Sequence, residues 1–71
     1  MSYRYKLVPL KDDKPVKGLC ITTVMRNYNV AAVNCAQLDM EKYKQHGIEV
    51  DQIEVYKHVN GNFKLIATVY E

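Results

Sequence analysis

The stretch that most limits the possible folds of this chain is residues 27–47, NYNVAAVNCAQLDMEKYKQHG, in which apolar residues recur with the period of an α-helix. Asn29, or alternatively Asn27, is typical of an N-cap, and Gly47 followed by Ile48 is typical of a Schellman ending. One broad face of this predicted helix is apolar and consists of Ala32, Val33, Cys35, Ala36, Met40 and Tyr43. That face has to be covered by another element.

The residues before this helix alternate with the period of two that is typical of a β-strand. We predict a strand over residues 3–8 that either is an edge strand or ends at Pro9. The sequence KDDKP, residues 11–15, predicts a turn, and the β-branched residues of 16–25 predict a second strand. Gly18 indicates a bulge or a close approach inside that strand.

The residues after the helix predict a hairpin whose register can be argued from the positions of its apolar residues. On both sides of Asn60-Gly61 the apolar side chains occupy mostly odd-numbered positions. A two-residue turn would pair odd with even positions, so the pattern favours a three-residue loop with a bulge at Gly61. The resulting pairs are Val55 with Leu65, Ile53 with Ala67, Tyr56 with Lys64 and Gln52 with Thr68, and Phe63 falls on the core face.

These segments together predict an α+β fold. Their order is ββαββ, with one helix packed on a four-stranded, mostly antiparallel sheet. A chain of 71 residues has room for one domain, which we place at residues 1–71. A domain of this size buries about 60% of the surface that its unfolded chain exposes.

The charge is unevenly distributed, although the net charge is only +2. The first 28 residues contain six basic and two acidic residues, so a basic surface is expected there. Tyr3 and Tyr5 alternate with Arg4 and Lys6, which places the rings and the cations on opposite faces of a strand. One functional hypothesis is nonetheless nucleic-acid binding, with Arg4, Lys6, Lys17 and Arg26 contacting phosphates and Tyr28 stacking on a base.

Two cysteines are too few for a disulfide-stapled secreted domain. Cys20 and Cys35 have apolar neighbours in sequence, so we expect two buried free thiols in a reducing compartment. The N-terminal residues lack an apolar run of signal-peptide length, and no segment is long enough to span a bilayer. A cytoplasmic location is expected.

The sequence contains few residues in spacings that support catalysis or metal binding. Cys35 and Asp39 are neighbours on the predicted helix, but His46 is too far along it to orient a thiolate. A zinc site built from Cys20, Cys35, His46 and His58 would lack the close spacing of a structural finger. We therefore expect a protein that is not an enzyme, with no catalytic residues, no metal and no cofactor.

The start of the helix is a candidate anion site. A helix N-terminus offers free amides, and the residues that could complete a pocket for an anion or for a partner's carboxylate are Thr22, Thr23, Arg26, Asn27 and Asn29. The same residue types are also used for ordinary capping and for strand-edge solvation. The alternative is that these residues only start the helix.

The face of the terminal hairpin that is turned away from the helix is a second candidate site. It carries Tyr56, His58, Ile66 and Tyr70, which form a contact patch for another protein. The resulting hypothesis is a small non-enzymatic protein-binding module acting through an open sheet face or an edge strand, as a homodimer or as a bacterial or phage accessory protein that modulates a host factor.

Overall fold

The computed structural model describes the backbone of residues 2–26 and 29–71 and the side chains of residues 3–24 and 29–71. The elements are β1 (Ser2–Lys11), β2 (Lys14–Pro15), β3 (Ile21–Arg26), α1 (Asn29–Gln45), β4 (Gln52–Val59) and β5 (Asn62–Tyr70). The predicted α+β class is confirmed, since one helix packs on an antiparallel sheet, to which the two-residue β2 adds a fifth strand.

β1 is an interior strand of this sheet. It pairs with β4 along one side and with β3 and β2 along the other, and β5 pairs with β4. The prediction that the first strand is an edge strand or ends at Pro9 is therefore wrong, since β1 is paired on both sides and continues to Lys11. The Pro9 carbonyl accepts a hydrogen bond from the Val16 amide at 2.9 Å, where the chain passes from β2 to β3. In a strand the nitrogen and the carbonyl of one residue point to the same side. The nitrogen of Pro9 therefore points to the gap between β2 and β3, where the loss of an amide donor breaks no ladder hydrogen bond.

The connection between β1 and β3 is longer than the sequence pattern predicts. Asp12 and Asp13 form a two-residue turn with φ of 52° and 63°, which confirms the predicted turn. The second long strand begins at Ile21 rather than at residue 16. Gly18 has φ of +86° and lies in a turn before that strand, and nothing lies within 4 Å of the place where a Cβ would stand. The glycine therefore serves a turn, and neither a bulge nor a close approach requires it.

The helix has the apolar face that was predicted. Its buried residues are Ala32, Ala36 and Met40, and these small or flexible side chains let α1 pack against β4 and β5. At its end Gly47 has φ of +70°, and its amide donates to the Lys44 carbonyl at 3.2 Å. The Ile48 amide donates to the Tyr43 carbonyl at 2.8 Å, so the predicted Schellman ending is confirmed.

The core lies between α1 and one face of the sheet. Tyr5, Leu7, Ile53 and Val55 are essentially inaccessible to solvent. The remaining members of the core cluster are Ala32, Ala36, Met40, Val50 and Val69. Tyr3 packs against this cluster while Arg4 is exposed, as the alternation of the first strand predicts. Within residues 2–26 and 29–71 no helix lies on the opposite face of the sheet.

The terminal hairpin has a different register from the predicted one. Asn60 and Gly61 have φ of 50° and 84° and form a two-residue turn, so that His58 pairs with Phe63 and Tyr56 with Leu65. The register then shifts between Val55 and Tyr56, and the pairs beyond the shift are Val55 with Ala67, Glu54 with Thr68, and Ile53 with Val69. The predicted three-residue loop is wrong. The two-residue turn pairs odd with even positions, and the bulge between Leu65 and Ala67 then restores the pairing of odd with odd positions.

Candidate binding surface on the open sheet face

The sheet face opposite α1, called here the open face, carries a continuous group of aromatic, apolar and basic side chains. Cross-strand partners lie on the same face of a sheet, and Lys6 is paired with Thr22 on one side and with Tyr56 on the other. The open face at this end of the sheet consists of Arg4, Lys6, Thr22, Val24, Tyr56, His58, Phe63 and Leu65. Four strands therefore contribute to one surface.

The centre of this surface is a cation that contacts two rings. The Lys6 ammonium lies 5.2 Å from the Tyr56 ring centroid and 4.8 Å from the Phe63 ring centroid. The rings of Phe63 and His58 have centroids 5.1 Å apart and an interplanar angle of 75°, which is an edge-to-face contact. We call Lys6, Tyr56, His58 and Phe63 the aromatic cluster. Cation–π attraction holds the lysine stem against the rings and limits its motion.

Apolar side chains that solvent reaches lie next to the aromatic cluster. Val24 on β3 is 62% exposed and Leu65 on β5 is 51% exposed. Leu65 stands opposite Tyr56, and Val24 stands opposite Arg4. Isolated apolar side chains on a surface are ordinary, but neighbouring apolar and aromatic side chains on an uncovered sheet face are typical of a contact surface.

The electrostatics of this end of the open face are positive. In the part of the chain that the structure describes, no carboxylate lies within 4.0 Å of Arg4 or Lys6. The nearest acid along the strand, Glu54, accepts a hydrogen bond from the Tyr56 hydroxyl at 3.1 Å. Burial, and then that hydrogen bond and the negative charge of Glu54, raise the pKa of Tyr56 above 10.0, so its hydroxyl stays protonated at neutral pH.

The four residues predicted as a protein-binding patch do not all lie together. Tyr56 and His58 belong to the aromatic cluster. Ile66 does not lie on the open face as predicted, because it is the extra residue of the β5 bulge and packs against the core. Tyr70 pairs with Gln52 and so keeps the predicted face, but it lies at the far end of β5, where it is 70% exposed and lines a groove of about 300 Å³ beside Met40. The bulge places Phe63 and Leu65 on the open face instead.

Phe63 and Leu65 are the residues that the sequence pattern placed wrongly. Both were expected in the core because they share the parity of Ala67 and Val69. The signal that could have found them is the Asn60-Gly61 dipeptide, which is the commonest sequence of a two-residue hairpin turn. Accepting that turn would have placed Phe63 opposite His58, on the open face, and would have required a bulge before Ala67.

The candidate anion site at the helix start is split in the described residues. Thr22 lies on the open face beside Lys6, whereas Thr23 is paired with Tyr5 and lies on the core face. The Asn29 side-chain oxygen accepts a hydrogen bond from the Tyr5 hydroxyl at 3.1 Å, so it serves a long-range contact. Asn27 and the side chain of Arg26 lie outside the described residues.

The residues of the nucleic-acid hypothesis are brought together only in part. Arg4 and Lys6 share the open face. Lys17 is exposed in the connection between β2 and β3. Tyr28 and the side chain of Arg26 are outside the part of the chain described by the structure. The sequence pattern placed the rings of Tyr3 and Tyr5 on the face opposite the cations. In the structure the rings next to Lys6 are those of Tyr56 and Phe63.

The cysteine and histidine residues lie on several elements. Cys20 is exposed, which corrects the expectation of a buried thiol, and Cys35 is half-buried on α1; both are free. Cys35, Asp39 and His46 line one depression on α1, but no hydrogen bond joins them. Within residues 2–26 and 29–71 no three His, Cys, Asp or Glu side chains are grouped so that they could hold a metal ion.

Comparison with models of protein families, with curated proteins and with solved structures gives no match for this chain. No helix in the described ranges is both long enough and apolar enough to cross a membrane. The geometry of the open face is therefore the basis on which a function can be proposed.

Proposed function

We propose that this protein is a non-enzymatic binding module whose open face docks another protein that presents acidic side chains among apolar ones. The observation that carries the proposal is the aromatic cluster, in which the Lys6 ammonium lies over two rings and has no described carboxylate within 4.0 Å. A carboxylate of the partner would supply the missing countercharge through a charge-assisted hydrogen bond.

The surroundings of the aromatic cluster favour such a complex energetically. Binding energy at protein interfaces is concentrated in aromatic and cationic residues that are surrounded by side chains excluding water. Val24 and Leu65 flank the cluster and would lose exposed apolar surface on docking. Since the Lys6 stem is already held against two rings, less side-chain entropy is lost when it binds an acidic group.

The experiment compares variants of the open face with matched variants on the exposed side of α1. Lys6→Glu and Leu65→Ser change the proposed surface, while Lys42→Glu and Leu38→Ser make the same changes at exposed helix positions. Each tagged protein captures partners from a native lysate, and the captured protein is then purified and titrated against all four variants by calorimetry.

We expect the two open-face variants to weaken binding by roughly tenfold or more, which corresponds to about 1.4 kcal/mol or more, and the two helix variants to bind like the wild type. Equal affinities for the four variants would overturn the proposal. Circular dichroism on each variant shows that a loss of binding does not arise from unfolding.

Nucleic-acid binding is a second candidate function, and one observation favours it. Arg4 and Lys6 lie on the same face as three rings, which is the combination used by surfaces that bind single strands. A fluorescent single strand and a duplex, each titrated at low and at moderate salt, test this candidate. We expect affinity that falls steeply with salt and is lost in Lys6→Glu, and absence of binding at low salt would refute it.

We place the module in the cytoplasm, because Cys20 is exposed and unpaired and such a thiol is typical of a reducing compartment. The role proposed for it there is that of an accessory protein, which changes the behaviour of the factor it binds and catalyses no reaction itself.

A further inference from the structure

The two edges of the sheet differ in how well they could pair with another strand. The β5 edge is interrupted by a bulge and carries Lys64, and both features hinder pairing. The other edge begins with β2, where Lys14 and Pro15 have the same effect. Within the described ranges β3 pairs with β1 alone, so its outer edge is open.

Apart from Arg26 at its end, β3 lacks the residues that normally protect an edge strand. Residues 19–25, LCITTVM, contain no charge, no proline and no glycine, and four consecutive residues, 21–24, are β-branched. This composition favours pairing with another extended chain. Ile21 on the core face is 43% exposed and Val24 on the open face is 62% exposed, so both faces of β3 remain accessible.

We propose that β3 pairs antiparallel with β3 of a second copy of this chain, with Thr23 on the two-fold axis. This register places Thr23 opposite Thr23 and Thr22 opposite Val24 of the other copy. Every pair joins positions of the same parity, so the side chains of each pair lie on the same face of the joined sheet. The pairing closes after two copies and does not propagate into a fibre.

A second copy fits this edge better than a charged foreign strand does. The edge carries no charge in residues 19–25, so two copies do not repel each other there. The Thr23 pair and the pairs of β-branched side chains are favourable cross-strand neighbours. A ladder of five residues from each strand, 21–25, is a small interface, so we expect a dimer whose population rises with concentration.

The dimer goes beyond the proposed function, because it uses the β3 edge and leaves the aromatic cluster free. Thr23 and Ile21 lie on the core face, and changes at these two positions do not alter the open face. The two proposals can therefore fail independently of each other. If the dimer forms, the sheet continues across the two copies and joins their open faces into one surface.

A cross-linking experiment tests the register. The double variant Cys20→Ser, Thr23→Cys is compared with Cys20→Ser, Thr68→Cys, which places the new thiol on the β5 edge. Directly opposed strand residues have Cα atoms about 4.5–5.5 Å apart, which suits a disulfide. We expect mild oxidation to convert the Thr23→Cys protein to a covalent dimer several times faster than the Thr68→Cys protein. Equal rates would overturn the proposal.

Sedimentation velocity of the wild type and of Ile21→Lys, from micromolar to millimolar concentration, provides the second test. We expect the wild type to shift from monomer to dimer and the variant to weaken the dimer by roughly tenfold or more, because a charge on an edge strand opposes pairing. A wild type that remains monomeric at the highest concentration would refute the dimer. If it still binds its partner in a Lys6-dependent way, the proposed function stands.

Discussion

Asp51 is the residue that makes the largest number of described polar contacts across elements. Its carboxylate accepts hydrogen bonds from the Lys11 ammonium at 3.2 Å and from the Asp12 amide at 2.8 Å. Its own amide donates to the Leu10 carbonyl at 2.8 Å, and its carbonyl accepts from the Glu71 amide at 3.0 Å. The side chain of this one residue, just before β4, therefore fixes the turn after β1, and its backbone fixes the end of β5.

These contacts change the pKa values of both partners. The Asp12 amide, and then the Lys11 ammonium, lower the pKa of Asp51 below its ordinary value of 3.8. The hydrogen bond to Asp51, and then the charge of Asp12, raise the pKa of Lys11 above 10.5. The stability contributed by Asp51 is present above pH 3.8 and is lost as the pH falls through its lower folded pKa. The contribution of Lys11 is present below pH 10.5 and is lost as the pH rises through its higher folded pKa.

We predict that Asp51→Asn lowers the free energy of unfolding at neutral pH, and that the difference from the wild type shrinks as the pH falls below 3.8 and through the lower folded pKa of Asp51. Denaturant titrations at several pH values measure this difference. Glu49→Gln is the matched control, because Glu49 is 4.0 Å from Lys11 and 82% exposed, and it should change stability much less. A difference for Asp51→Asn that does not change with pH would show that the ionised Asp51 carboxylate is not the source of the stability.

At the scale of single elements, the terminal hairpin depends on two residues with positive φ. The two-residue turn needs both Asn60 and Gly61 in the left-handed region, whereas a three-residue loop would need only Gly61 there. We predict that Gly61→Ala costs about 1–2 kcal/mol and that Asn60→Ala costs about 1 kcal/mol, both through backbone strain. Asn62→Ala, at an ordinary strand position, should stay within about 0.5 kcal/mol. Chemical denaturation measures all three, and a neutral Asn60→Ala would indicate the three-residue loop.

The hairpin also shows what the sequence pattern can predict and where it fails. The two strands and their turn residues are visible in the sequence, because local turn chemistry and alternation are local signals. The register is not, because the bulge at Ile66 changes the parity of Phe63 and Leu65 without a glycine or proline to mark it. The place of Phe63 in the aromatic cluster depends on that register. Tyr56 and His58 were predicted for the protein-binding patch and Lys6 for the nucleic-acid surface, so Phe63 is the member that the sequence pattern missed.

The two ends of α1 show the same limit. The Schellman ending at Gly47 was predictable, since its hydrogen bonds join residues within five positions of one another. Asn29 was predicted as an N-cap, but its side-chain oxygen accepts from Tyr5, which lies 24 positions earlier in the chain. A partner that distant is brought into place by the packing of α1 on the sheet, and no local pattern contains that information.

For the whole molecule, the helix covers the sheet unevenly. α1 packs against β4 and β5, and β4 is paired on both sides. β3 is paired with β1 only, within the described residues, and Ile21 on its core face is 43% exposed. A strand with one neighbour and little cover opens at a lower free energy than a buried strand with two neighbours. The same uneven cover leaves the β3 edge accessible for the dimer.

Hydrogen exchange on the dilute protein should therefore show weaker protection of the amides in β3 than of the amides in β4. We predict that amides in β3 exchange at an opening free energy at least about 1 kcal/mol below that of β4, which is roughly a fivefold difference in rate. Mass spectrometry of peptides covering residues 19–26 and 52–59 measures both strands in one sample. Raising the concentration should slow exchange in β3 and leave β4 unchanged, because the dimer adds a neighbour to β3 alone. Equal exchange in the two strands at every concentration would contradict both the uneven stability and the β3 pairing.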